Sequence, residues 1–169
     1  IAGGAILPFQ NLFFRNVFQL SDATVGLVLA WASLGMGLGA LIGSPVSKRL
    51  GLRRAAAVLR LGAVPAMLLM FAPALFPAVV GFFLRGLFVA ASFPLNDAMV
   101  MQATPVRQRG LAASMMSVLW SGGWSLTALW SGWAQQRVGF AAPIALAAVA
   151  YLLSALAIYT LRIDERRNA

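Results

Sequence analysis

No cysteine and no histidine occur in the 169 residues. Together these absences exclude disulfides, thiolate nucleophiles, zinc sites and imidazole acid–base chemistry. No catalytic residue, metal or other cofactor is therefore expected, and an enzyme is the least favoured class. Acid is scarce as well. Four carboxylates (Asp22, Asp97, Asp164 and Glu165) face thirteen Lys and Arg, a formal charge of +9. Charged residues of both signs make up 10% of the chain, where a soluble domain carries roughly 25%. With 61% of residues hydrophobic and a mean hydropathy of +0.85, the lipid bilayer is the expected surrounding. A pI near 11.9 also raises nucleic acid as a partner. No soluble segment presents a basic face with interleaved aromatics, so that partner is set aside.

What is present is organised around residues 44–54, Ser-Pro-Val-Ser-Lys-Arg-Leu-Gly-Leu-Arg-Arg. Lys48, Arg49, Arg53 and Arg54 cluster there, between the apolar runs 23–46 and 55–75, the second broken by Arg60. Each run is long enough to cross a hydrocarbon core of about 30 Å as a helix rising ~1.5 Å per residue. Lys and Arg resist translocation, which places this loop on the cytoplasmic side. Arg60, about a turn inside that end, is expected to snorkel outward.

Further apolar runs give six expected spans: 1–20, 22–46, 55–71, 78–101, 111–134 and 141–161, followed by a charged tail at 162–169. Ser21 and Asp22 are suited to cap the second. Alternating sides puts Lys48, Arg49, Arg53, Arg54, Arg107, Arg109, Arg162, Arg166 and Arg167 on one side, against Arg15 and Arg137 on the other. Both termini of the segment are thus expected in the cytoplasm, in a cell (inner) membrane. Ile1 lies inside an apolar run without a charged leader, as in a chain cut open just inside a span.

An internal repeat supports this division. Residues 48–52 (Lys-Arg-Leu-Gly-Leu) resemble 136–140 (Gln-Arg-Val-Gly-Phe), Gly26-Leu27 pairs with Gly110-Leu111, and Pro8 pairs with Pro94, all at nearly one offset. The expected fold is all-α: six transmembrane helices as two inverted three-helix repeats, about 1–75 and 76–161, in one bundle. Inverted repeats of this kind mark secondary transporters. Gly35, Gly39 and Gly43, four apart, form a smooth stripe against which another helix can pack closely.

These segments resemble one half of a major facilitator superfamily transporter, specifically its C-terminal six-helix half, helices seven to twelve. Arg49-Leu-Gly51-Leu-Arg53-Arg54 is similar to the Arg-x-Gly-x-Arg-Arg part of the superfamily's signature loop, with Lys48 where that loop has Asp and Ser44 where it has its first Gly. Phe82-Phe-Leu-Arg85-Gly86 resembles the arginine motif of the family's fourth helix and its tenth-helix counterpart. Arg107-Gln-Arg109-Gly110 resembles the Arg-Gly pair that opens the eleventh. The resemblance implies alternating access around a site at the bilayer midplane. It also implies a second bundle, either an N-terminal six-helix half of the same full-length chain or a second copy.

Ionisable groups inside a bilayer are costly and so are candidates for function. Arg85 leads, and at 100° per residue Ser92 and Asn96 fall close to its helical face. Asn11, beside Pro8, is the expected counterpart on the first span. Trp120 and Trp124, one turn apart, offer stacking faces. The expected substrate-binding set is Asn11, Arg85, Ser92, Asn96, Trp120 and Trp124. The expected gating and motif set is Arg49, Gly51, Arg53, Arg54, Asp97 and Arg109, with Asp97 pairing to Arg49, Arg53 or Arg109 when the cytoplasmic side is closed. The expected function is secondary transport of a small solute, with efflux of amphipathic molecules favoured over uptake of a specific sugar. The alternatives are a non-transporting six-span binding or scaffold protein, or a self-pairing half-size carrier.

Overall fold

The computed structural model describes residues 2–160, and every described element is helical. The chain enters as a short helix, α1 (Ala2–Ile6), is broken by a 3₁₀ turn at Leu7–Phe9, and resumes as α2 (Gln10–Phe18). Pro8 causes the break, because it has no N–H to donate and its ring crowds the preceding turn. Gln19, at φ 53°, ends α2 in the left-handed region. Ser21 then starts α3 (Asp22–Leu50), its Oγ accepting the Thr24 backbone N–H at 3.3 Å. This is the cap expected from the sequence.

Gly51 ends α3 at φ 79°, donating its N–H to the Ser47 carbonyl, and α4 (Leu52–Leu69) begins at once. Gly139 ends α6 (Arg109–Val138) in the same manner at φ 77°, donating to the Gln135 carbonyl. The two similar pentapeptides therefore share one helix-ending glycine geometry, which a Cβ would strain. Between them lies α5 (Leu75–Ala103), and α7 (Ala141–Thr160) closes the described chain.

The glycine stripe of α3 meets the backbone of α5. A Cβ on Gly35 would come within 2.6 Å of the Phe83 carbonyl oxygen, and Cβ atoms on Gly39 and Gly43 would strike the Leu87 and Ala91 carbonyls. From the α5 side, a Cβ on Gly86 would lie 3.2 Å from the Ala32 carbonyl. Because the partners advance together, α3 and α5 run parallel. Ser92 meets Arg60, while Gly81 sits against Ala66 and Met70, so α4 runs antiparallel to α5. Tyr151 lies at the level of Arg85 and Ile158 with Leu95 and Met99, so α7 is parallel to α5.

Two apolar clusters hold the bundle. The larger gathers Phe13, Phe14, Val25, Met67, Phe82 and Ile144, with Phe14 and Phe82 edge-to-face at 5.2 Å. The smaller, nearer the basic end, joins Ala55, Ala56 and Leu59 to Ala91, Leu95 and Ile158.

The expectation of six transmembrane helices is corrected. Among the described residues, three helices are long and apolar enough to cross a membrane: α3, α5 and α7. The reasons lie in the sequence. Residues 2–18 are split by Pro8, leaving α2 with nine residues, roughly 14 Å of helix. The 18 residues of α4 include Arg53, Arg54 and Arg60. At 30 residues α6 is long enough, but its serines, glycines and glutamines dilute its apolar character. Without six spans, the division into two inverted three-span repeats does not stand. The tail at 162–169 lies outside the described residues.

Candidate functional site

A cleft of about 380 Å³ is lined by residues of α1, α3, α4, α5, α6 and α7. Its polar groups are Arg60, Arg85 and Tyr151; its apolar wall includes Met36, Val89, Phe93, Trp120 and Trp124.

Arg85 is 3% exposed. It is held by α5, which is itself fixed against the glycines of α3. Its Nη2 donates to the Tyr151 hydroxyl at 3.3 Å, its Cζ lies 5.9 Å from the Phe82 ring centroid, and its Nε is buried without an acceptor. Arg60 turns into the bundle instead of snorkelling outward. Its Nε donates to Ser92 Oγ at 3.2 Å and its Nη1 to Ser154 Oγ. Ser92, fully buried, donates its own proton to the Val89 carbonyl at 2.8 Å. Tyr151 and Ser154 are three apart on α7, so one face of that helix receives both guanidiniums. The only ion pair among the described residues is the exposed contact of Arg15 with Asp22 at 3.3 Å.

Trp120 and Trp124 of α6 supply an aromatic wall to the same cleft. Phe93 meets Trp120 edge-on at 5.2 Å, and the Trp120 and Trp124 ring centroids are 6.0 Å apart. Trp124 is set by α1: a Cβ on Gly3 would come within 2.9 Å of its ring, and one on Gly4 within 2.5 Å of its carbonyl oxygen. Ser131 Oγ ties α6 to α1 by donating to the Ala5 carbonyl at 2.6 Å. Trp120, on the preceding turn of α6, stays 50% exposed.

Of the six residues expected to bind solute, Arg85, Trp120 and Trp124 line the cleft. Ser92 joins it through Arg60. Asn96 is half-buried farther along α5, and Asn11 is exposed on α2; neither lines the cleft. Sequence reasoning missed Tyr151 and the inward turn of Arg60. Tyr151 had one available signal, as one of two tyrosines in the chain and a polar tip inside an otherwise apolar run.

The gating and motif residues occupy the other end. Gly51 is the turn itself, flanked by exposed Arg49 and Arg54 and half-buried Arg53. Arg109 Nε donates to the Thr104 carbonyl at 3.4 Å. Asp97 is exposed and makes no ion pair among the described residues; it lines a groove of about 370 Å³ with Met116, Ser117, Trp120 and Ser121. Phe93 and Trp120 line both spaces, so groove and cleft adjoin.

The arrangement offers charge, hydrogen-bond donors and stacking faces, but no acid–base pair or nucleophile beside a base. It can bind and release. A family model described as Major Facilitator Superfamily matches residues 1–169. No curated protein matches the chain.

Proposed function

Because the chain belongs to the Major Facilitator Superfamily, and is a multi-pass membrane protein and not an enzyme, we propose that it is one half of a secondary active transporter. The cleft is this half's share of the path of a small solute, moved by alternating access as two bundles rock around a shared site. The observation that carries this reading is the cleft itself: a buried arginine and an aromatic wall lining one space of about 380 Å³. The facing wall comes from an N-terminal half or from a second copy, and resemblance of the motifs favours this chain as the C-terminal half. Lys48, Arg49, Arg53, Arg54, Arg107 and Arg109 gather where α3 and α5 end, which supports a cytoplasmic location for that end. The apolar and aromatic lining supports export of amphipathic molecules.

Everted vesicles from cells expressing the full-length protein test the transport reading, using fluorescent amphipathic dyes of negative, zero and positive charge. Ion-gradient-dependent accumulation of at least one dye is expected. It should be lost in Arg85→Gln and kept in Leu41→Ala, whose side chain is 73% exposed. Absence of gradient-dependent accumulation for every dye, with protein present in the membrane, contradicts the reading.

A further inference from the structure

Arg60 and Arg85 bring two guanidinium groups into one cleft. About ten N–H donors come with them, and hydrogen bonds to Tyr151, Ser92 and Ser154 occupy three. All three acceptors are neutral hydroxyls. Neither acid among the described residues pairs with them: Asp22 is paired with Arg15, and Asp97, twelve residues beyond Arg85 and five beyond Ser92 on α5, makes no ion pair among the described residues. A buried Arg85 and a half-buried Arg60, like charges without a paired acid, are unfavourable in a low-dielectric setting. Arg85 also keeps a buried Nε–H with no acceptor. The wall supplied by α6, Trp120 and Trp124, is aromatic, with Phe93 of α5 meeting Trp120 edge-on.

We propose that the cleft binds a small aromatic or amphipathic organic anion, its carboxylate or equivalent acid group held between Arg60 and Arg85 and its apolar body against Trp120 and Trp124. This deepens the transport reading and rests on it. Arg60 and Arg85 supply charge-assisted donors to the acid group. Tyr151 and Ser154 act as positioning residues, each holding one guanidinium toward the same space from α7.

The test uses purified full-length protein in lipid nanodiscs and three probes with one apolar body: 1-naphthaleneacetate, 1-naphthaleneethanol and 1-naphthaleneethylammonium. Binding is read by calorimetry. The anion should bind about tenfold or more tighter than the alcohol, and the cation weakest, as expected for charge-assisted donors. Arg85→Gln and Arg60→Gln should each remove most of the anion's advantage and leave alcohol binding within about twofold, since only the charged contact is lost. Tyr151→Phe should weaken the anion alone, and Arg60→Lys should retain part of its advantage. The comparison among probes on the unmodified protein needs no variant, so a misfolded variant leaves it intact. Equal binding of the three probes, preference for the cation, or no binding of any of them overturns the proposal. Preference for the cation would mean that acids from the rest of the protein neutralise the pair. If dye transport persists while the anion preference fails, the transporter reading survives and the anion assignment falls. If the anion is preferred but no dye is transported, the anion site stands and the transporter reading falls.

Discussion

The two sides of α5 are built on opposite principles. On one, Gly35, Gly39 and Gly43 of α3 let two backbones touch, so that carbonyls of Phe83, Leu87 and Ala91 lie where side chains would otherwise be. On the other, Arg85, Val89 and Phe93 look across a cleft toward α6, whose first half carries Leu111, Val118, Leu119 and Trp120 at 50–72% exposure. The sealed side gains close packing where lipid supplies no hydrophobic drive between helices. It fixes α5 and hence the position of Arg85. The open side leaves donors and ring faces unspent, as a binding wall requires. One helix can therefore serve as both frame and site, because its two sides are stabilised by different means.

The largest effect expected from breaking this contrast is at the seam. Gly39→Leu places a side chain into the Leu87 backbone. It should cost about 3 kcal/mol, the upper part of the range for overpacking. Gly37→Leu, two residues away, meets nothing within 4 Å, and should leave stability unchanged or raise it by up to about 1 kcal/mol through helix propensity. Thermal unfolding of the two variants in detergent reads the difference. Equal losses would mean that the stripe is not the sealing surface.

A smaller effect is expected on the open side. Trp120→Ala removes a half-exposed ring whose aromatic contacts are Phe93 and Trp124. Stability should fall by less than about 1 kcal/mol. Binding of both 1-naphthaleneacetate and 1-naphthaleneethanol should weaken together, by about tenfold for a lost stacking face. Unfolding and calorimetry on one preparation separate the two quantities. A stability loss as large as that of Gly39→Leu would make Trp120 a packing residue.

The same contrast explains what can be read from the sequence. The stripe is legible because its period of four is local to one helix, and Arg85 because an arginine stands out in an apolar run. The Ser21 cap follows from an equally local rule, whereas the stretch 44–54, expected as a loop, is helical except at Gly51. The places of Tyr151 and Arg60 in the cleft are not legible. Arg60 meets Ser92 and Ser154 across separations of 32 and 94 residues, and only the packing of α4, α5 and α7 brings those hydroxyls within reach. Asn11, singled out for its neighbour Pro8, follows the break that Pro8 makes and is exposed on α2. The six-span expectation fails for a related reason. A count of apolar runs does not weigh the three arginines of α4, the serines and glycines of α6 or the interruption at Pro8.

Accessibility of the two sides of α5 tests the central claim most directly. The described chain has no cysteine, so single cysteines at Ala91, fully buried with its carbonyl against Gly43, and at Phe93, which lines the cleft, can be compared in a full-length protein free of other thiols. The measurement is the labelling rate with a small anionic methanethiosulfonate reagent in nanodiscs. Phe93→Cys should react at least about tenfold faster than Ala91→Cys, because local opening of the sealed seam is required for the latter. Excess 1-naphthaleneacetate should slow only the Phe93→Cys reaction. Equal rates at the two positions, or faster labelling at Ala91→Cys, would contradict the account of α5 as sealed on one side and open on the other.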